Sequence, residues 1–160
     1  MTSRLQKINT WLTLAANVGV LAGIIFLALE IQQNTAATHS ATVQSVTDNS
    51  TTGLREYAAN ADLSRIRLKG DFEHSTLSEL ERFQYFAHNR GYWLHFQNVY
   101  FQIGLGALEP RVWATYERII CVDMSSRPGL RSEWEQHSAV LDSEFVAVVE
   151  ECIATDSVSK

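Results

Sequence analysis

The strongest pattern along the chain is a run of 22 positions, Ile8 to Leu29, that carries no charge and is mostly apolar. It reads INTWLTLAANVGVLAGIIFLAL and is bracketed by Arg4 and Lys7 on one side and Glu30 on the other. A helix of that length rises roughly 33 Å, enough to cross a hydrocarbon core of about 30 Å. A cleavable signal peptide carries a shorter apolar core of about 7–15 residues and then a small-x-small cleavage site. Here the run is longer and ends in LALEIQQ, a poor cleavage context. Core helices of soluble domains rarely extend this far without a charge. The pattern predicts a transmembrane helix over residues 8–30, preceded by a short tail over 1–7.

Beyond Glu30 the periodicity weakens but stays helical. Residues 31–59 are rich in Ser, Thr, Ala and Gln, and contain no Pro and no Gly until Gly53. Their β-branched residues lower helix propensity, so a juxtamembrane helix of moderate stability is expected, frayed around Asp48 to Gly53. A short helix from Ala61 to Lys69 follows, with Asn60 as its N-cap and Gly70 as its stop. Thr76 and Glu79 have capping-box spacing, and a proline-free helix then runs to Gly104. Phe83, Phe86, Trp93, Phe96, Tyr100 and Ile103 recur on it at steps of three and four, as an amphipathic helix requires. The next helix opens at Glu109-Pro110 with an apolar stripe of Val112, Tyr116, Ile119 and Ile120. Ser126-Arg127-Pro128-Gly129 breaks the chain and restarts a helix carrying Trp134 and Val140. Asp142 or Ser143 caps a last helix that buries Phe145, Val148, Val149 and Ile153. No segment reads as a strand. The expected fold is all-α: an N-terminal transmembrane helix continuing into a juxtamembrane helix, then a small bundle of about four or five helices over 60–155, with a loose tail over 156–160.

Charge gives the predicted anchor an orientation. Arg4, Lys7 and the amino terminus precede the span, and no Lys or Arg follows until Arg55. By the positive-inside rule the N-terminus is cytoplasmic and the main domain periplasmic or extracellular. Gly19 and Gly23 form a Gly-x-x-x-Gly on one helix face, with Ala15, Ala16 and Ala22 nearby and the polar Asn17 within the span. Such a face lets a second helix approach closely, as a homo-oligomer or with another membrane subunit. Gly and Ala are frequent in membrane helices anyway, so the motif names no partner.

Composition removes some functions. Residues 31–160 hold 17 acidic and 11 basic side chains and no Lys/Arg cluster, so the domain repels phosphate backbones and nucleic acid is not an expected partner. Cys121 and Cys152 are too few for a disulfide scaffold. They are either two buried thiols or, in an exported domain, a bridge closing a loop of about thirty residues.

Candidate chemistry is sparse. Glu81, His88, His95 and Gln102 lie seven apart on the long helix. Neighbours in that series are about 10.5 Å apart along the axis, too far to share one ion held at about 2 Å per ligand. Glu79 with Glu81, Glu133 with Glu135, and Glu150 with Glu151 have spacings that do not face each other on a helix, and read as solvated faces. Gly-x-Ser-x-Gly, Walker-type and dinucleotide motifs do not occur. Tyr92, Trp93, Tyr100, Trp113 and Trp134 read first as core and second as a recognition surface or apolar cleft. No catalytic, cofactor-binding or metal-binding residue is assigned, and no cofactor is expected.

Four phrases carry a resemblance: FLALEIQQNTAA directly after the apolar run, ADLSRIRLKG, WLHFQNVYFQIGLG with a Trp three residues past Pro110, and PGLRSEWEQHSAVLDSEFVAVVEE. Together they resemble a group of small single-pass bacterial membrane proteins of no characterised activity. The resemblance implies a bacterial inner-membrane anchor with a helical domain, and it brings no site residues with it. The group often has a basic residue just after the membrane helix, where this chain has Gln32 and Gln33. The association-prone anchor face, the polar juxtamembrane helix and the aromatic helical domain without catalytic motifs lead to the expectation of an interaction or accessory subunit of a membrane assembly. The alternative is a sensor or carrier that binds a small apolar ligand within the helical domain.

Overall fold

The computed structural model describes residues 2–158. The fold is all-α, with no strand among the described residues. Its helices are α1 (Thr2–Ala59), α2 (Ala61–Glu73), α3 (Glu79–Gly104), α4 (Pro110–Ser126), α5 (Pro128–Ser132), α6 (Trp134–Ser138) and α7 (Ser143–Val158), with one 3-10 turn (His74–Thr76) between α2 and α3. The chain divides into two units, residues 1–41 and 42–160.

The first unit is α1 up to Ala41. Helix starts at Thr2, so most of the segment expected as a tail over 1–7 is already helical. An 18-residue stretch of this helix has a mean hydropathy of 2.3 with none of it buried, long and apolar enough to cross a membrane. Trp11, Leu12, Ile24, Ile25 and Phe26 are all exposed.

The second unit starts in the same helix. Residues 42–59 do not fray at Gly53; the helix continues unbroken to Ala59. Packing outweighs weak propensity there. Val46 is buried against Val99 and Leu108, and the Ser50 hydroxyl lies 2.9 Å from His95 Nε2 and 2.9 Å from the Tyr116 hydroxyl.

Asn60 caps α2 as expected, its Oδ1 accepting from the backbone N–H of Asp62 and Leu63. The expected stop at Gly70 does not occur, and α2 runs on to Glu73. Gly70 serves close packing instead. A Cβ there would lie 2.2 Å from the Tyr85 ring, and a Cβ on Gly129 would lie 1.7 Å from the Gly70 carbonyl oxygen. The two glycines let α5 touch the backbone of α2.

The capping box of α3 lies two residues later than Thr76–Glu79, at Ser78–Glu81. Thr76 sits in the 3-10 turn, where its hydroxyl donates to the Glu73 carbonyl. Ser78 is extended, its Oγ accepts from Glu81 N–H, and the Glu81 carboxylate accepts from Ser78 N–H at 2.9 Å. The helix then ends at Gly104 as predicted. Its aromatic face differs in detail: Tyr85, Trp93 and Phe96 are buried, whereas Phe83 is 68% exposed.

The main core joins Trp93 and Phe96 of α3, Ile120 and Met124 of α4, Leu130, Trp134, and Phe145 and Val149 of α7. On α4 the buried line passes through Ile120 and Met124, leaving Ile119 largely exposed. Between Pro128 and Val140 there are two five-residue helices rather than one, joined at Glu133, and Val140 is exposed. Asp142 is the cap of α7, its Oδ1 accepting from Glu144 and Phe145 N–H. Helix α7 extends beyond Thr155 to Val158, and the rest of the tail expected as loose, residues 159–160, lies outside the described residues.

Cys121 and Cys152 are joined in a disulfide with their Cα atoms 4.9 Å apart, tying α4 to α7. It closes a separation of 31 residues. In the chain-entropy treatment, a loop of that size contributes about 3.7 kcal/mol. The double variant Cys121→Ala/Cys152→Ala is therefore expected to lose about 2–4 kcal/mol of unfolding free energy in urea titrations followed by tryptophan fluorescence.

Candidate functional site

The last turn of α2, the inner face of α3 and the α4–α5–α6 segment meet over a set of charged side chains, of which Arg127 and Asp71 are buried and Asp123 and Arg67 partly so. Arg127 is at the break between α4 and α5, where Pro128 ends the preceding helical hydrogen bonding. Its guanidinium is 2.8 Å from Asp71 Oδ1 and 2.8 Å from Asp123 Oδ2. The Tyr85 hydroxyl donates to Asp71 at 2.7 Å, and the Tyr92 hydroxyl donates to Asp123 at 2.9 Å. Arg67, one turn before Asp71 on α2, adds a second cation at 3.7 Å. Two carboxylates and two guanidinium groups thus balance, which is the condition under which buried charge is tolerated. Burial alone favours a neutral guanidine, yet hydrogen bonding and attraction from Asp71 and Asp123 hold the Arg127 pKa above its usual value. Burial, then the neighbouring carboxylates, push both tyrosines up: Tyr85 beside Asp71 and Tyr92 beside Asp123.

A second group is centred on Glu133, buried at the joint between α5 and α6. Its Oε1 is 3.0 Å from His74 Nε2 and its Oε2 is 3.4 Å from His137 Nε2. Asn89 Nδ2 donates to the same Oε2 at 3.2 Å. Burial favours the protonated acid, but the contacts to His137, His74 and Asn89 outweigh it and hold the carboxyl below its usual range. His137 is fully buried and stacks on Phe86 with ring centroids 4.5 Å apart, while Arg90 donates to the carbonyls of Gln136 and His137. Of the acidic pairs expected to be solvated, Glu133 is thus a correction: the kink between α5 and α6 turns it inward while Glu135 stays exposed.

The seven-spaced series on α3 is dispersed. Glu81 pairs with Arg65 at 2.7 Å and Lys69 at 2.9 Å, and its carboxyl is held well below its usual range, first by the Ser78 backbone N–H and then by Arg65 and Lys69. His88 packs edge-on against Tyr57, and His95 meets Ser50. Among the described residues no group of three His, Cys, Asp or Glu side chains is arranged to hold a metal ion. Trp93 and Trp134 lie against each other at 4.7 Å, and Tyr100 against Trp113 at 5.1 Å, with Tyr92 packed onto the same core. Of the five aromatics singled out from the sequence, Trp93 and Trp134 are buried in the core, and Tyr92, Tyr100 and Trp113 pack partly buried against it.

Burial pushes the His88 ring down to about 4, with repulsion from Arg67 and Arg127 adding to it. Its folded pKa lies below the unfolded value of about 6.5, so between those limits the unfolded chain binds a proton that the folded chain does not. Stability is therefore lost as pH falls from about 6.5 to 4. Because the ring is only half-buried, solvent screening reduces the loss to about 1–2 kcal/mol. His88→Gln removes this titration, so the stability gap between wild type and variant should narrow by that amount across the window. A gap independent of pH contradicts the assignment.

Sequence reading missed Asp71, Asn89, Arg127 and His137 because each occupies a single polar position in an otherwise ordinary helical pattern. The one signal the sequence offers is Arg127 immediately before Pro128-Gly129, a charged side chain at a forced break. Chemically, the carboxylates of the two clusters are spent on cations, imidazoles and hydroxyls of the same fold, while His137 Nδ1 and Arg127 Nε are buried without a hydrogen-bond partner among the described residues. The accessible features lie elsewhere. A shallow open groove of about 960 Å³ is lined by the end of α1 and by Ser64, Leu68 and Phe72 of α2. The outer face of α3 presents Leu80, Phe83, Leu94 and Phe101 to solvent. No protein-family model matches the chain, and neither does any curated protein or solved structure.

Proposed function

We propose that this protein is a membrane-tethered interaction subunit, in which the N-terminal helix anchors the chain and the helical domain offers a binding surface. The observation that carries this reading is the row of large apolar side chains left uncovered on α3, apart from the buried core and the ion pairs around Arg127 and Glu133. Monomeric soluble domains rarely leave contiguous apolar patches beyond a few hundred Å², and larger ones mark interaction sites. The 22-residue uncharged run supports the anchor. Arg4 and Lys7 ahead of it, with no cation until Arg55, support a cytoplasmic N-terminus and an exported domain. The Cys121–Cys152 disulfide suits the same side, since such bonds persist in oxidising compartments. At Gly19 and Gly23 a Cβ would meet nothing within 4 Å, which leaves that helix face open for a neighbour in the bilayer. The resemblance to small single-pass bacterial proteins supports a bacterial inner membrane as the home of the anchor.

The test is made in native membranes. The full chain is expected to resist alkaline carbonate extraction, a reporter fused at Lys160 to be active only outside the cytoplasm, and crosslinking to give a defined protein adduct. A chain released by carbonate, or one recovered without any adduct, contradicts the proposal.

A second reading rests on the groove at the α1–α2 junction. Its volume falls within the usual range for small-molecule sites, and Leu68 and Phe72 offer it apolar walls. A carrier of a small apolar ligand would retain that ligand through gentle extraction. Native mass spectrometry showing only the bare chain mass contradicts this alternative.

A further inference from the structure

We propose that the outer face of α3 is where two copies of this chain pair; this rests on the interaction reading above and names the partner as a second copy. At about 100° per residue, positions 80, 83, 87, 91, 94, 98, 101 and 105 fall in an arc about 80° wide. That arc lies opposite the side of α3 that buries Tyr85, Asn89 and Phe96. On it, Leu80 is 67% exposed, Phe83 68%, Leu94 46%, Phe101 41% and Leu105, just past the helix end, 78%. These five side chains leave on the order of 600 Å² uncovered per copy, close to the roughly 800 Å² per partner of a standard interface. The flanking surface of the same helix supplies the remainder.

Three features select a second copy as the occupant. The series Leu80, Ala87, Leu94, Phe101 repeats every seven residues, the spacing that keeps one seam facing a partner helix. Bulky Leu94 stands one turn from Gly91, where a Cβ would meet nothing within 4 Å. The face therefore carries a knob and a hole side by side, as a two-fold interface needs for one patch to complement itself. Charge is the third feature. A two-fold pairing brings like groups together, which a chain of net charge −5 resists. This arc holds no ionised residue, and Arg90 at its edge is turned away onto the Gln136 and His137 carbonyls. Confinement of both copies to one membrane raises their effective concentration, so a modest interface suffices.

The experiment uses the full chain in mild detergent, with mass read by light scattering and folding by near-UV circular dichroism. Wild type is expected at twice the chain mass, Leu94→Arg at the single-chain mass with an unchanged spectrum, and Leu68→Arg, on another exposed helix face, at twice the chain mass. In membranes, Leu94→Cys is expected to give a self-crosslink under mild oxidation and Leu68→Cys none. A monomeric wild type, or a Leu94→Arg protein that stays paired, overturns the proposal. A crosslink from position 94 to a different protein overturns it while leaving the interaction reading intact. No adduct of any kind removes both.

Discussion

Gly129→Ala is expected to cost about 3 kcal/mol or more, although it adds one methyl group. The new Cβ would be 1.7 Å from the Gly70 carbonyl oxygen, 2.8 Å from its carbonyl carbon and 3.2 Å from Asp71 Cα. All three atoms are backbone, so no rotamer change makes room. Relief requires α5 to move away from α2, and that motion pulls Arg127 from Asp71, which sit two residues before Gly129 and one after Gly70. Overpacking in a rigid core costs about 1–3 kcal/mol when side chains can yield, and more when they cannot. Gly53→Ala supplies the contrast. It lies inside α1 with nothing within 4 Å of a new Cβ, where replacing a helical glycine is worth about 0.5–1 kcal/mol of added stability. Urea unfolding of the detergent-solubilised variants checks both. A Gly129→Ala protein within about 1 kcal/mol of wild type would show that α2 and α5 do not approach this closely.

The second large effect is expected at Arg127. Arg127→Met keeps the unbranched stem but removes the guanidinium that Asp71 and Asp123 share, leaving Asp71 only Arg67 at 3.7 Å. Removing one partner of a buried ion pair costs about 3–5 kcal/mol, mostly the penalty of the charge left behind. Asp71→Asn combined with Arg127→Met should therefore recover part of the loss, because the amide still accepts from Tyr85 and carries no charge. If the double variant is less stable than Arg127→Met by the full cost of Asp71→Asn alone, the two residues do not act as a pair.

Much of this fold is legible in the sequence for stated reasons. The uncharged run gives the N-terminal helix its span, Asn60 and Glu109-Pro110 mark starts, and the absence of proline carries α3 to Gly104. The errors share a cause: local rules hold until tertiary contact overrides them. Gly70 reads as a helix stop, but close contact with Tyr85 and Gly129 is what requires a glycine there. Thr76 has cap spacing, but its hydroxyl is already engaged with Glu73. Phe83 fits the three-four rhythm of the core and yet faces water, because on α3 the buried arc is centred on Tyr85, Asn89, Trp93 and Phe96. The charged clusters are the least legible of all. Asp71 and Arg127 are 56 residues apart, and only the folded chain shows that they meet. The disulfide stood in the same position: the sequence left it as one of two readings, and the packing of α4 on α7 brings the cysteines into bonding range.

The central claim is that a membrane-held helical domain uses the outer face of α3 as a binding surface. A photo-crosslinking side chain placed at Leu94 of the full chain, activated in native membranes, addresses it directly. The expected result is a discrete adduct at twice the chain mass from position 94 and none from Ser125, an exposed position on α4. Illumination that yields no adduct from Leu94, Leu80 or Leu105 would contradict the claim.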